Sequence, residues 1–438
     1  MTAASLIDAR EESAATRPEE HLRSAAWDRI FIAGGVWLVP IPILAFYLFR
    51  WLGATVAASE DLVTLLVMLP LGGPHVFATY TRTFFNPAFR RQDKVLFGLA
   101  FVVAAIVIGA AVSSAFFDVV LGGSPPIRYV LTFFFFWAGV HIVQQNSYIA
   151  NAYAAKAGDL QPVLPRVFGI VDYAVMLLAM YPLSLFRMSM VDLGDASMRA
   201  ANPDALATKI VVALTGSQEA ADAYVFRIGR VAPVLPEFMM HPAMWIGVST
   251  LFVIAVLLFV YKSIVEKRAG ALLPHRFALV VGMATFGFAV PLLPNLDSAF
   301  QGMNAWHSFQ YLGLLWLMNR RSQDRGEIHS KLFDRTMGEG RHWRFYGAAV
   351  GATLGLLTLV VIVALAIERF SGGTFVLFGH DTPQLDELGN PLYRPGAILL
   401  AYYMVAFSLL LVHYLHDGVF FFRRRYLVDG ETGGGSPA

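Results

Sequence analysis

"LLLVHYLHDGVFFFRRR", Leu409 to Arg425, is a run of hydrocarbon side chains closed by three arginines, and within it stand His413, His416 and Asp417. In water that trio would be unremarkable. At mid-depth in a bilayer an ionisable side chain costs roughly 2.5–3.5 kcal/mol by insertion scales, and such groups turn toward partners inside a bundle. The stretch therefore implies neighbouring helices with polar groups at the same level. Composition agrees: 438 residues, 57% hydrophobic, 15% charged, mean hydropathy +0.57. Soluble domains are about 25% charged. Cysteine is absent, which excludes disulfides, thiolate metal ligands and a cysteine nucleophile.

Windows of about 20 apolar residues cross a hydrocarbon core of about 30 Å, and ten are present: 30–50, 61–85, 95–119, 128–153, 166–188, 242–263, 275–294, 297–319, 344–367 and 396–422. The second contains "LPLGGPH", where Pro74 lacks a backbone donor and is expected to kink the helix. The expected fold is all-α, a polytopic membrane bundle with both termini cytoplasmic. Residues 1–27 read as a disordered cytoplasmic tail without the basic-then-apolar order of a signal peptide. Helices one to five occupy 28–188 and helices six to ten 241–422, with a cytoplasmic tail over 423–438. Lysine and arginine fit this count. Arg90, Arg91 and Lys94, then Lys156 and Arg166, then Lys262, Lys267, Arg268 and Arg276, then seven residues from Arg320 to Arg344 fall on alternate connections. The chain is expected in a bacterial cytoplasmic membrane.

The 189–240 segment is the sizeable extracytoplasmic loop. It reads as two short amphipathic helices beginning near the capping residues Asn202 and Ser217, either a surface connector or a lid over a substrate portal. No internal sequence repeat is evident. "GAAVGATLG", Gly347 to Gly355, reads as a helix-packing face, "FFFF" at 133–136 as lipid-facing or core, and the basic 320–344 stretch as a loop beside anionic lipid with no nucleic-acid role.

Of eleven histidines, His75, His141, His307, His413 and His416 lie inside spans two, four, eight and ten, all running inward. The first four sit 10–12 residues from their cytoplasmic ends, roughly 15–18 Å at the helical rise; His416 lies one turn lower. Each heads a polar stripe at helical spacing: His75, Thr79, Arg82; His141, Gln145, Tyr148; Gln301, Asn304, His307, Tyr311; His413, His416, Asp417. Interhelical hydrogen bonding would explain any one of them. Five near one depth point instead to a metal held by neutral imidazoles, as thiol-free sites for iron, copper or zinc are. The expected ligands are His75, His141, His307, His413 and His416. Thr79, Gln145, Asn304 and Gln310 are expected to support them, fixing ring tautomers. Tyr148, Tyr311 and Asp417 are the candidates for proton transfer, with Asp417 alternatively a ligand or a partner of Arg423.

"GGPHVFATY" and "HIVQQNSY" resemble stretches of the bacterial membrane-embedded carotenoid-cleaving dioxygenases. The resemblance covers about 17 residues and implies iron-ligand roles for His75 and His141 alone. The chain departs from that pattern in having Thr79 and Arg82 where an acidic residue and a further histidine are expected, and in its larger number of spans. The combined reading is an oxygenase-like membrane oxidoreductase with His-ligated metal, iron favoured, acting on a hydrophobic lipid or isoprenoid among membrane lipids. The alternatives are a haem protein with two axial histidines, a proton-coupled transporter with a His/Asp relay, and a structural subunit.

Overall fold

In a computed structural model of the chain, the residues described are 21–156, 166–191, 200–226, 234–324, 326, 335–336, 341–378 and 395–420. They form long helices: α1 (Ala25–Trp51), α2 (Val56–Arg82), α3 (Lys94–Phe116), α4 (Pro126–Lys156), α5 (Phe168–Met188), α6 (Pro242–Arg268), α7 (Pro274–Leu292), α8 (Leu296–Asp324), α9 (His342–Phe370) and α10 (Ala397–Gly418). Among the described residues there is no strand, only the isolated bridges Leu121–Ser124 and Val191–Ala201. All but α8 are long and apolar enough to cross a membrane. The chain is an all-α polytopic membrane protein.

Helix α8 has the length to cross, with 29 residues, but not the hydropathy, because it is the axle of the bundle. It packs on α1, α2, α4, α7 and α9, and carries buried Ser298, His307, Ser308, Gln310, Asn319 and Ser322. With no lipid on any side, its polar groups need only find one another. Close packing makes this possible. A Cβ on Gly302 would collide with the Val39 carbonyl oxygen of α1, and one on Gly73 of α2 with Thr353 of α9. The 347–355 stretch does pack on α2, through Thr353, but not through its glycines: a Cβ on Gly347, Gly351 or Gly355 would meet nothing within 4 Å.

Three helices are locally unwound into π turns: Asp28–Ala33 in α1, Met68–Gly72 in α2 and Tyr403–Phe407 in α10. In α2 the cause is readable. Pro74 cannot donate to the Pro70 carbonyl, which accepts instead from the Tyr346 hydroxyl at 2.8 Å. The helix resumes with Pro74 in its first turn and His75 immediately after.

Contacts at the helix ends establish the alternation of direction. At one end, Asp28 accepts from Tyr153 at 2.6 Å, Lys156 and Arg321 donate to the Leu22 carbonyl, and Arg82 donates to Asn319 and Ser322. The start of α1 and the ends of α2, α4 and α8 therefore meet. The start of α5, end of α6 and start of α7 are likewise joined: Asp172 binds Lys262 at 2.6 Å and pairs with Arg276, while Glu266 lies 3.6 Å from Lys262. These contacts also correct the reading of 1–27 as a tail throughout. Leu22 is fully buried, and Ser24 caps the turn Ala25–Trp27 by accepting from the Trp27 N–H.

The connector after α5 contains the two expected short helices, Leu206–Thr215 and Gln218–Tyr224. Ser217 caps the second, accepting from Ala220 at 3.3 Å. Asn202 does not cap the first; its side chain accepts from Asp204 two residues on, and the helix begins later, at Leu206. Arg423 and the tail beyond it lie outside the described residues.

Candidate metal centre

Each histidine reaches the centre of the bundle from a different helix. His75 on α2, His141 on α4, His307 on α8 and His413 on α10 are all buried, and one ligand atom from each lies within 4.8 Å of all the others. The Nε2 atoms of His75 and His413 are 2.9 Å apart, and those of His141 and His307 3.1 Å.

Proton placement decides what these short separations mean. The Nδ1 of His75 lies 2.8 Å from the Gly72 carbonyl, which can only accept, so that nitrogen carries the hydrogen. The Ser308 hydroxyl lies 3.0 Å from the same Nδ1 and donates to the Asn304 side-chain oxygen. Nε2 of a neutral His75 is thus a bare lone pair. On His413, Nδ1 faces the Thr79 hydroxyl at 2.6 Å. Tyr311 donates to Asp417 Oδ1 at 2.5 Å, and Thr79 donates to the same oxygen at 3.2 Å. The Thr79 hydroxyl also lies 2.5 Å from that of Tyr311, so it links His413, Tyr311 and Asp417. The bare Nε2 of His75 offers a lone pair that can accept a proton or ligate a metal ion, and it lies 2.9 Å from Nε2 of His413.

The donor set fits a metal ion. The paired Nε2 atoms lie about 3 Å apart and the four ligand atoms within 4.8 Å of one another, close enough for His75, His141, His307 and His413 to hold one ion. The donors are four imidazoles, with no thiol anywhere in the chain.

His416 does not join them. It is fully buried on the same helix, but its ring is walled by Tyr80, Phe84 and Phe89 at centroid distances of 6.4, 5.4 and 5.6 Å, and neither nitrogen has a hydrogen-bond partner among the described residues. Its expected role as a ligand is corrected: the offset of three residues from His413 turns it toward Tyr80 of α2 and toward Phe84 and Phe89 in the segment between α2 and α3. Gln145 and Gln310 also act differently from expectation. Gln145 donates to the His307 backbone carbonyl at 3.1 Å and to Gln310 at 3.2 Å, and Gln310 donates to the Ile32 carbonyl. They brace α4, α8 and α1 together, while ring orientation falls to Gly72, Ser308 and Thr79. Tyr148 packs in the main apolar core, seven residues from His141 and so about 10 Å along α4, a distance that separates it from the nitrogens. Asn304 acts through Ser308, and Tyr311 and Asp417 sit at the centre as expected.

Two contributors escaped the sequence reading. Ser308 lies four residues after Asn304 and beside His307, so its place on the stripe was visible in the spacing. Tyr414 stacks on His141 at 4.2 Å and was hidden among the aromatic residues of α10. Asp417 Oδ2 lies 3.5 Å from His413 Nδ1 and 3.7 Å from His141 Nε2, so the carboxylate borders the nitrogens without replacing any of them. What the fold and site define together is a membrane-embedded four-histidine centre. Comparison with protein-family models, curated proteins and solved structures finds no match to this chain.

Proposed function

We propose that the chain is an oxygenase-like membrane oxidoreductase in which His75, His141, His307 and His413 hold an iron ion and the substrate is a hydrophobic lipid or isoprenoid. The observation that carries this reading is the convergence of four buried imidazoles, their Nε2 atoms paired at 2.9 and 3.1 Å. When bound, iron would supply a redox-active Lewis acid with room for further ligands beyond the four nitrogens. Iron is favoured over zinc by the resemblance of "GGPHVFATY" and "HIVQQNSY" to the carotenoid-cleaving dioxygenases, and that resemblance also favours an isoprenoid.

The chain's own residues do the positioning. The Gly72 carbonyl and Ser308 hold the His75 ring, and Thr79 holds His413. Tyr311 holds its proton against Asp417 Oδ1, within reach of Thr79, so a proton donor and an acceptor lie beside the reacting position. The surrounding helices exclude bulk water. Haem fits less well, because a porphyrin occupies the equatorial positions and leaves two axial ones, whereas four imidazoles converge here. Charge placement supports cytoplasmic termini, and the location proposed with this reading is a bacterial inner membrane.

The test is elemental analysis and a visible spectrum of the detergent-purified protein. The expected result is about one iron per chain without a porphyrin band, lost in His141→Ala and His307→Ala. A monodisperse, metal-free protein would overturn the proposal and favour the proton-coupled transporter.

A further inference from the structure

A small cavity lies between α4, α5, the end of α7 and α8, close to the histidine centre but formed by none of its ligands. Met303 of α8 is part of its wall and stands one helical turn, about 6 Å, before His307. The cavity volume is about 60 Å³. A single water needs about 10–15 Å³, and an apolar cavity of about 150 Å³ takes benzene. This one therefore has room for a molecule of a few heavy atoms and none for a hydrocarbon chain.

The lining decides which small molecule fits. It is aromatic, aliphatic and thioether, with two side-chain hydroxyls and no charged side chain among the described residues. Ser184 gives its proton to the Met180 carbonyl at 2.8 Å, and the Pro291 carbonyl is taken by Arg187 at 3.1 Å. The Tyr181 hydroxyl is what remains. A buried water is held by about two to four hydrogen bonds, more than one phenol supplies, and an ion would be left unpaired. An uncharged apolar molecule has no such requirement. The walls are also fixed. Buried Arg187 donates to the carbonyls of Pro291, Leu293, Pro294 and Val225, which pins the end of α7 beside Val290. Met180 is wedged between two glycines, since a Cβ on Gly139 or Gly287 would lie 3.2 Å from its side chain. Neither wall is free to close the space.

We infer that this cavity is a holding site for a small apolar gas, dioxygen, one helical turn from His307. Its size excludes anything larger, and its lining excludes water and ions. Moving an apolar solute out of water into such a space is favourable, and the surrounding lipid supplies the gas without an aqueous path. The choice of dioxygen among apolar gases, and its use at the histidine centre, rest on the oxidoreductase reading; the gas site does not.

Crystals of the full-length protein are pressurised with xenon, a monatomic gas with no hydrogen-bonding capacity, and the xenon is located by its anomalous scattering. The expected result is a xenon atom between Gly139, Met180 and Met303, lost in Val290→Phe, whose larger side chain fills the space. His141→Ala should lose metal and keep the xenon. Because Val290→Phe can disturb folding, Met188→Ala provides the opposite change: it widens the cavity and is expected to raise xenon occupancy. Dioxygen itself is read by stopped-flow reoxidation of the iron-loaded, reduced protein. Val290→Phe should raise the half-saturating dioxygen concentration about threefold or more, with metal content retained. Crystals without xenon in the cavity, or an unchanged dioxygen dependence in a Val290→Phe protein that excludes xenon, would overturn the inference. Xenon binding by a protein that never holds metal would instead overturn the oxidoreductase reading and leave the gas site standing.

Discussion

His413 and His416 are three residues apart on one helix, equally buried and chemically identical, yet they do different things. His413 presents Nε2 to His75 and is held from behind by Thr79, whereas His416 is bordered by the rings of Tyr80, Phe84 and Phe89 and has no hydrogen-bond partner among the described residues. His416→Phe should therefore keep the full metal content and His413→Phe should lose it, as read by elemental analysis of the two purified variants. Residues behind the ligands act more weakly. Ser308→Ala and Thr79→Val are expected to lower metal affinity by about 10–100-fold, measured as retention against a graded chelator. Loss no greater than wild type in both would show that ring orientation is set elsewhere. The sequence was informative about which side chains share a depth, because depth is a count of residues along a helix. It was silent on which ring of a neighbouring pair turns inward, since that depends on helix rotation. It also misdirected the roles of Gln145 and Gln310, whose amides are long enough to reach backbone carbonyls of other helices.

Among the elements, α8 shows how polarity and burial exchange roles in a membrane. The sequence counts 297–319 among the apolar windows, yet the helix falls short of the hydropathy of a span, and it lies at the centre because only protein neighbours satisfy its side chains. Its contact with α1 depends on Gly302 lying against the Val39 backbone. A backbone atom cannot rotate aside, so Gly302→Ala should destabilise the detergent-solubilised protein by about 1–3 kcal/mol. Gly351→Ala on α9, where a Cβ meets open space, should stay within about 0.5 kcal/mol. Thermal unfolding of the two variants side by side checks the contrast. The sequence pattern favoured the wrong glycines, those spaced four apart in 347–355. Close approach depends on the partner helix, and that partner is not written in the local spacing. The kink near Pro74 was legible because its cause is covalent and local; the π turn in α10 has no proline and left no such mark.

Across the described residues, ten long helices alternate in direction around one buried polar centre, with the acid–base cluster of Asp172, Lys262 and Arg276 at one end and buried Arg187, which donates to the Pro291 and Leu293 carbonyls, at the other. The even-numbered ligand helices α2, α4, α8 and α10 all run the same way, which is why histidines at matched distances from their ends meet. A natively cysteine-free chain makes orientation simple to test. Ser217→Cys should react with an impermeant maleimide applied outside intact cells, and exposed Lys267→Cys only after the membrane is opened. The reverse pattern would invert the topology without disturbing the centre. The most direct measurement is X-ray absorption fine structure at the metal edge of the purified, metal-loaded protein. Four imidazole nitrogens at about 2.0–2.2 Å, reduced in number by His307→Ala and unchanged by His416→Phe, is the expected result. A coordination sphere of oxygen donors alone, or one indifferent to His75, His141, His307 and His413, would contradict a four-histidine centre.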